Sequence, residues 1–128
     1  MTLTIDNMDM NIKRVRTILV NRAKNGEIIT YSELCDIAAL PYRMNNPHDR
    51  VLIGDLLEII STDEFIHGRP LLSSIVLTKD NEEGDGFYKM AEKLGFGNWQ
   101  TLKKDFVFAT EMIKNTFEYW ETHNDESN

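Results

Sequence analysis

The sequence predicts a small, mostly helical α+β domain, with about five helices and one short sheet of two or three strands. Three observations predict it. Apolar residues recur at three- and four-residue spacing along most of the chain, the period of a helix face. One run alone, Leu71 to Thr78, is rich in apolar and β-branched residues and bounded by strand breakers. The length, 128 residues at 41% hydrophobic, supplies one core and not two. A single globular domain is therefore expected over residues 1–122, with a polar C-terminal tail over 123–128.

The first helix is expected over about residues 7–24. Asp6 can cap it, and Met8, Ile12, Val15 and Leu19 form its apolar stripe. Asn25-Gly26 ends it, because Gly accepts the left-handed geometry just past a helix. After a short extended link, Thr30 to Glu33 spells a capping box for a second helix. That helix buries Leu34, Ile37 and Ala38 and stops before Pro41. Asn46-Pro47 joins an N-cap to a first-turn proline and opens a third helix. Its apolar positions from Val51 to Ile60 cover most of its circumference, which predicts burial on more than one side. Ser61 and Glu64 could restart a short turn. Asp80 to Gly86 reads as a polar loop, followed by a fourth helix carrying Phe87, Met90, Ala91 and Leu94. Asn98 caps one long last helix, striped by Trp99, Leu102, Phe106, Ala109, Ile113, Phe117 and Trp120. The predicted core sets Leu52, Leu56 and Ile59 beside Ile75 and Phe106.

Charge narrows the function classes. The net charge is −7, and the excess of acids lies in the second half: residues 1–79 hold 10 acids and 9 bases, residues 80–128 hold 11 and 5. Such a chain repels phosphate at long range, so DNA binding is disfavoured by net charge. A local basic face survives between Asp9 and Glu27, where Lys13, Arg14, Arg16, Arg22 and Lys24 meet no acid. No stretch of 18 apolar residues occurs, so no membrane span is expected. The first residues lack the pattern of a signal peptide. One cysteine makes neither a disulfide framework nor a zinc site, so a cytoplasmic protein without a cofactor is expected.

Few motifs carry chemistry. Glu64 and His67 share a helix face at the three-residue spacing of half a carboxylate-bridged metal site, with Asp63 and Arg69 alongside. No second Glu-x-x-His accompanies them. The Asp80–Gly86 loop misses the calcium-loop pattern, and no nucleophile elbow, Walker lysine loop or dinucleotide glycine pattern is present. Cys35, between Leu34 and Ile37, is a buried small hydrophobe.

The order helix, link, helix, helix, strand suggests a winged-helix-like arrangement. Within it, Ile28-Ile29-Thr30-Tyr31-Ser32-Glu33-Leu34-Cys35-Asp36-Ile37-Ala38 resembles the corresponding segment of the DNA-binding domain of alkyltransferase-like proteins. The likeness covers about a dozen residues. The reactive Pro-Cys-His-Arg motif of that family is absent, so methyl transfer is not implied. Gly68-Arg69-Pro70-Leu71-Leu72-Ser73-Ser74, with Gly86-Phe87-Tyr88 downstream, is similar to a pattern in small uncharacterised bacterial proteins and implies no activity.

These features lead to a non-enzymatic interaction module of a bacterial or phage accessory protein. The alternative is a winged-helix-type DNA-binding protein, and a second alternative is a metal-dependent hydrolase around Glu64 and His67. Arg14, Arg43, Asn45, His48 and Arg50 are the candidate nucleic-acid or partner contacts, since Arg and Asn suit guanine and adenine edges. Phe117, Tyr119 and Trp120 are the candidate interface of a homodimer, because the last helix is longer than one small core requires.

Overall fold

The computed structural model describes residues 3–124, with side chains from residue 8 onward. It contains six α-helices and two two-residue strands among those residues: α1 Leu3–Lys24, β1 Ile29–Thr30, α2 Tyr31–Ile37, α3 Pro47–Ile66, β2 Val76–Leu77, α4 Asp85–Lys93, α5 Trp99–Lys104 and α6 Phe106–Thr122. The mostly helical α+β class is as expected. The sheet is two-stranded and parallel, with Ile29 opposite Val76 and Thr30 opposite Leu77.

Local rules explain most boundaries. Gly26, at φ +67°, carries the chain out of α1. The Thr30 hydroxyl accepts from the Glu33 N–H at 3.2 Å, and the Glu33 carboxylate accepts from the Thr30 N–H at 3.0 Å, closing the capping box of α2. The Asn46 side chain accepts from His48 and Asp49 N–H ahead of Pro47, as its sequence signature predicts.

Helices α1 and α6 pack together, and both rest on the chain that leads into β2. The main core joins Val15, Leu19 and Ala23 of α1 to Ile53, Leu56 and Ile60 of α3, with Ile75 and Trp120. A smaller cluster of Leu71, Phe87, Tyr88 and Met90 is covered by side chains of α5 and α6.

Several expectations are corrected. Helix α1 begins at Leu3, so Asp6 lies inside it. The expected strand over Leu71–Thr78 is mostly a 3₁₀ turn, Leu72–Ile75, leaving only Val76–Leu77 extended. Ser73 N–H donates to the Ser61 hydroxyl (2.9 Å), and the Ser74 hydroxyl lies 2.8 Å from that of Thr116. These side-chain partners, from α3 and α6, replace ladder bonds. For the same reason Ser61 caps nothing, and α3 continues unbroken to Ile66. The long last helix is two helices, because the Asp105 carboxylate accepts from Val107 N–H (3.0 Å) and starts α6 afresh. That break turns Phe106 outward, to 92% exposure, and Ile37 and Ile59 are exposed too. Leu56 and Ile75 do reach the core, with Leu52 half-buried. Of the expected polar tail, residues 125–128 lie outside the described residues.

Candidate functional site

Both parallel strands end at the same side of the molecule, and a cleft of about 740 Å³ opens there. Its lining comes from three stretches of chain, residues 30–32, 44–54 and 78–86. Thr30, Tyr31 and Ser32 enter where β1 passes into α2, and Met44 and Asn45 from the loop before α3. One face of α3 adds Arg50, Ile53 and Gly54, at the three- and four-residue spacing that stacks side chains on a helix. Thr78 and Lys79 follow β2, and Gly84, Asp85 and Gly86 open α4.

Glycines shape its walls. A Cβ at Gly54 would meet nothing within 4 Å, so this mid-helix position opens on empty space. At Gly84 a Cβ would come 3.2 Å from the Tyr31 hydroxyl, so any larger residue would require Tyr31 to give way by a few tenths of an ångström. The loop between β2 and α4 is folded by Thr78, whose N–H donates to the Glu82 carbonyl (2.8 Å).

The electrostatics are uneven. Asp85 is held by Lys103 at 2.5 Å. Arg50 donates from Nη1 to the Met44 carbonyl at 2.7 Å, and neither Arg50 nor Lys79 has a carboxylate partner among the described residues. Next to Gly84, Glu83 is 7% exposed and neither carboxyl oxygen has a hydrogen-bond partner. Burial pushes its pKa up to about 9, so it is neutral at pH 7. Burial, and after it the proximity of Glu83, pushes the Tyr31 phenol up to about 12.

Of the expected contact residues, the cleft gathers Asn45 and Arg50 alone. Arg14 donates to the Ala38 carbonyl (2.8 Å) from α1. Arg43 and His48 stay at the start of α3, where their N–H groups meet Asp49 and Asn46 side chains. The metal reading of Glu64 and His67 is corrected. Glu64 is fully buried and takes Arg16 Nε at 2.8 Å on one oxygen and Arg69 Nε at 2.7 Å on the other. Burial by itself would raise its pKa, but the bonds from Arg69 and Arg16 hold it below the ordinary value. His67 is exposed and turned to the Asp63 carbonyl, 2.8 Å from Nδ1. Among the described residues no group of three His, Cys, Asp or Glu is placed to hold a metal.

Of the expected interface residues on the last helix, Trp120 is turned inward. Trp120 is 2% exposed in the chain's own core under the Arg16 guanidinium, 5.6 Å from the ring centre. Phe117 and Tyr119 pack on that core. Cys35 is buried, and its thiol is pushed up to about 11 by burial and then by Asp36 and Asp49, the state of an unreactive cysteine. No helix of the described residues is long and apolar enough to cross a membrane.

Sequence reasoning did not single out Tyr31, Gly54, Thr78, Glu83 or Gly84. The one available signal was Gly54, a glycine inside an otherwise apolar helix, where it costs about 1 kcal/mol relative to alanine. The chain matches no protein-family model, no curated protein and no solved structure.

Proposed function

We propose that this protein is a non-enzymatic binding module that takes its ligand in the cleft at the ends of β1 and β2. The observation that carries this reading is convergence. Three stretches far apart in sequence, residues 30–32, 44–54 and 78–86, surround one cavity whose volume falls in the range of ligand pockets. The two segments with family resemblances also meet here, through Thr30-Tyr31-Ser32 and Gly86. The ionisable cluster elsewhere, Arg16–Glu64–Arg69, is consumed in pairing and offers no chemistry.

A thermal-shift screen of small molecules and short peptides tests it, with Gly54→Trp as the filled-cleft control and Gly54→Ala as the folding control. A ligand at a hundredfold its Kd stabilises by about 3 kcal/mol, several degrees in a domain of this size. Compounds should stabilise the wild type and lose that effect in Gly54→Trp. If every active compound acts equally on both, the cleft is not the site.

The winged-helix-like DNA reading and a cytoplasmic role as a bacterial or phage accessory protein stay attached as the second proposal. It draws on one observation, that Asn45 and Arg50 share a rim. An electrophoretic shift at low salt with mixed genomic DNA decides it, and no shift at high protein concentration retires it.

A further inference from the structure

We propose that the ligand of the cleft is a mononucleotide, a flat heterocycle carrying phosphate; this rests on the cleft being the binding site. Charge is the first argument. The acid in the lining, Asp85, is paired with Lys103, whereas Arg50 and Lys79 face the cleft without a carboxylate partner. The site is thus positive in a chain of net charge −7. These two scales of charge select by ligand size. A polymer lays many phosphates along the acidic surface and is repelled, while a single phosphate in the cleft feels the cations within a screening length of about 8 Å.

Shape and hydrogen bonding add the second argument. Tyr31, Met44 and Ile53 give an apolar wall, and Gly54 leaves space beside it for a ring. Asn45 carries both a donor and an acceptor, the combination that reads a base edge. The Ser32 hydroxyl, with the O–H donors left on Thr30 and Thr78 after their oxygens accept from Glu33, Asp80 and Glu82 N–H, is suited to a sugar.

Isothermal titration of the full chain with the four nucleoside 5′-monophosphates, adenosine and inorganic phosphate tests the proposal. At least one monophosphate should bind with Kd below about 1 mM, and adenosine and phosphate alone should each bind at least about tenfold more weakly. Charge-assisted bonds are roughly twice as strong as neutral ones, so Lys79→Ala and Arg50→Ala should each weaken the nucleotide about tenfold and leave adenosine unchanged. Gly54→Trp should abolish both. Circular dichroism and the melting temperature of each variant separate lost binding from lost fold. Absence of nucleotide binding, or binding indifferent to Lys79→Ala and Arg50→Ala, overturns the proposal. Tighter binding of a single-stranded oligonucleotide than of any mononucleotide overturns it as well. If nucleotides fail but other compounds in the thermal screen are lost in Gly54→Trp, the cleft stands and only this ligand class falls. If nothing binds there, both fall.

Discussion

Replacing Glu83 by Gln should remove a loss of stability that the folded chain suffers as pH rises from mild acid through neutrality. The folded carboxyl keeps its proton up to about pH 9, while in the unfolded chain it titrates near 4.5. Between those values the folded state binds one more proton than the unfolded state, so stability falls as pH rises. Each unit of separation costs about 1.4 kcal/mol. At pH 7 the unfolded chain has gained the free energy of ionisation and the folded chain has not, a penalty of about 3 kcal/mol. It reaches its full size only near pH 9. Gln has the shape of the protonated acid but carries one more donor that burial leaves unpartnered, which adds an offset that does not vary with pH. The difference between variant and wild type should therefore move in the variant's favour steadily above pH 5, by about 3 kcal/mol between pH 4 and pH 7. At roughly 4 °C per kcal/mol, the melting-temperature difference should move by about 10 °C over that interval. Urea unfolding of both chains at half-unit pH intervals measures this directly, because every other titrating group cancels. A difference that does not vary with pH would refute the reasoning, since Glu83 would then be solvated or paired in the folded protein.

The second buried glutamate should behave in the opposite sense: Glu64→Gln leaves Arg16 and Arg69 facing a neutral amide, and urea unfolding should show a loss of about 3–5 kcal/mol at pH 7. That loss should shrink as pH falls below about 4.5, because Glu64 in the fold stays ionised below its ordinary range and its contribution disappears on protonation. Leu56→Ala should cost about 2–5 kcal/mol in the same assay, whereas Phe106→Ser should stay within about 0.5 kcal/mol; an equal cost for both would place Phe106 in the core after all. Gly54→Ala should raise the melting temperature, by about 0.5–1 kcal/mol of stability, since the new Cβ touches nothing and Ala favours the helix. Phe117→Ala combined with Trp120→Ala should lower helical circular dichroism and not merely change the sedimentation mass, because Trp120 belongs to this chain's own core.

Sequence pattern was informative wherever a local rule acted alone. The capping box at Thr30, the Asn46-Pro47 start and the Gly26 stop are all settled by neighbours within four residues. It misled where a distant partner decided. The apolar run through Leu71–Thr78 became a 3₁₀ turn because Ser61 and Thr116, from other helices, take up Ser73 and Ser74. The three-four rhythm from Trp99 to Trp120 hid the break at Asp105, although an acid able to cap the next turn was present. Glu64 and His67 share a helix, and pattern could not tell that two arginines, 48 and 5 residues away, take both oxygens of the first. Two of the expected contact residues, Asn45 and Arg50, lie in the cleft. Its other walls depend on β1 meeting β2, and strands of two residues leave no periodicity to detect.

The distribution of local cost over the molecule points to the same place as the cavity. On the side where α1, α3 and α6 meet, the buried charge is fully matched, with Glu64 bridging two guanidiniums and Trp120 lying beneath one of them. Around the cleft the accounts are left open. Gly54 forgoes helix stability, Gly84 is pressed against Tyr31, and Glu83 is buried without a partner one residue from the lining. Neither the glycine at 54 nor the unpartnered acid at 83 helps the domain fold, and alanine at 54 would meet no clash. Such departures occur elsewhere too, at the unpartnered Trp120 Nε1 and at Ala39 (φ +55°), but those at Gly54 and Glu83 lie at or beside the cleft lined by residues 30–32, 44–54 and 78–86, as expected where a region answers to something besides stability. If Gly54→Ala and Glu83→Gln each stabilise the chain at neutral pH while Gly54→Trp removes ligand-induced stabilisation, stability and binding are opposed at the same few residues.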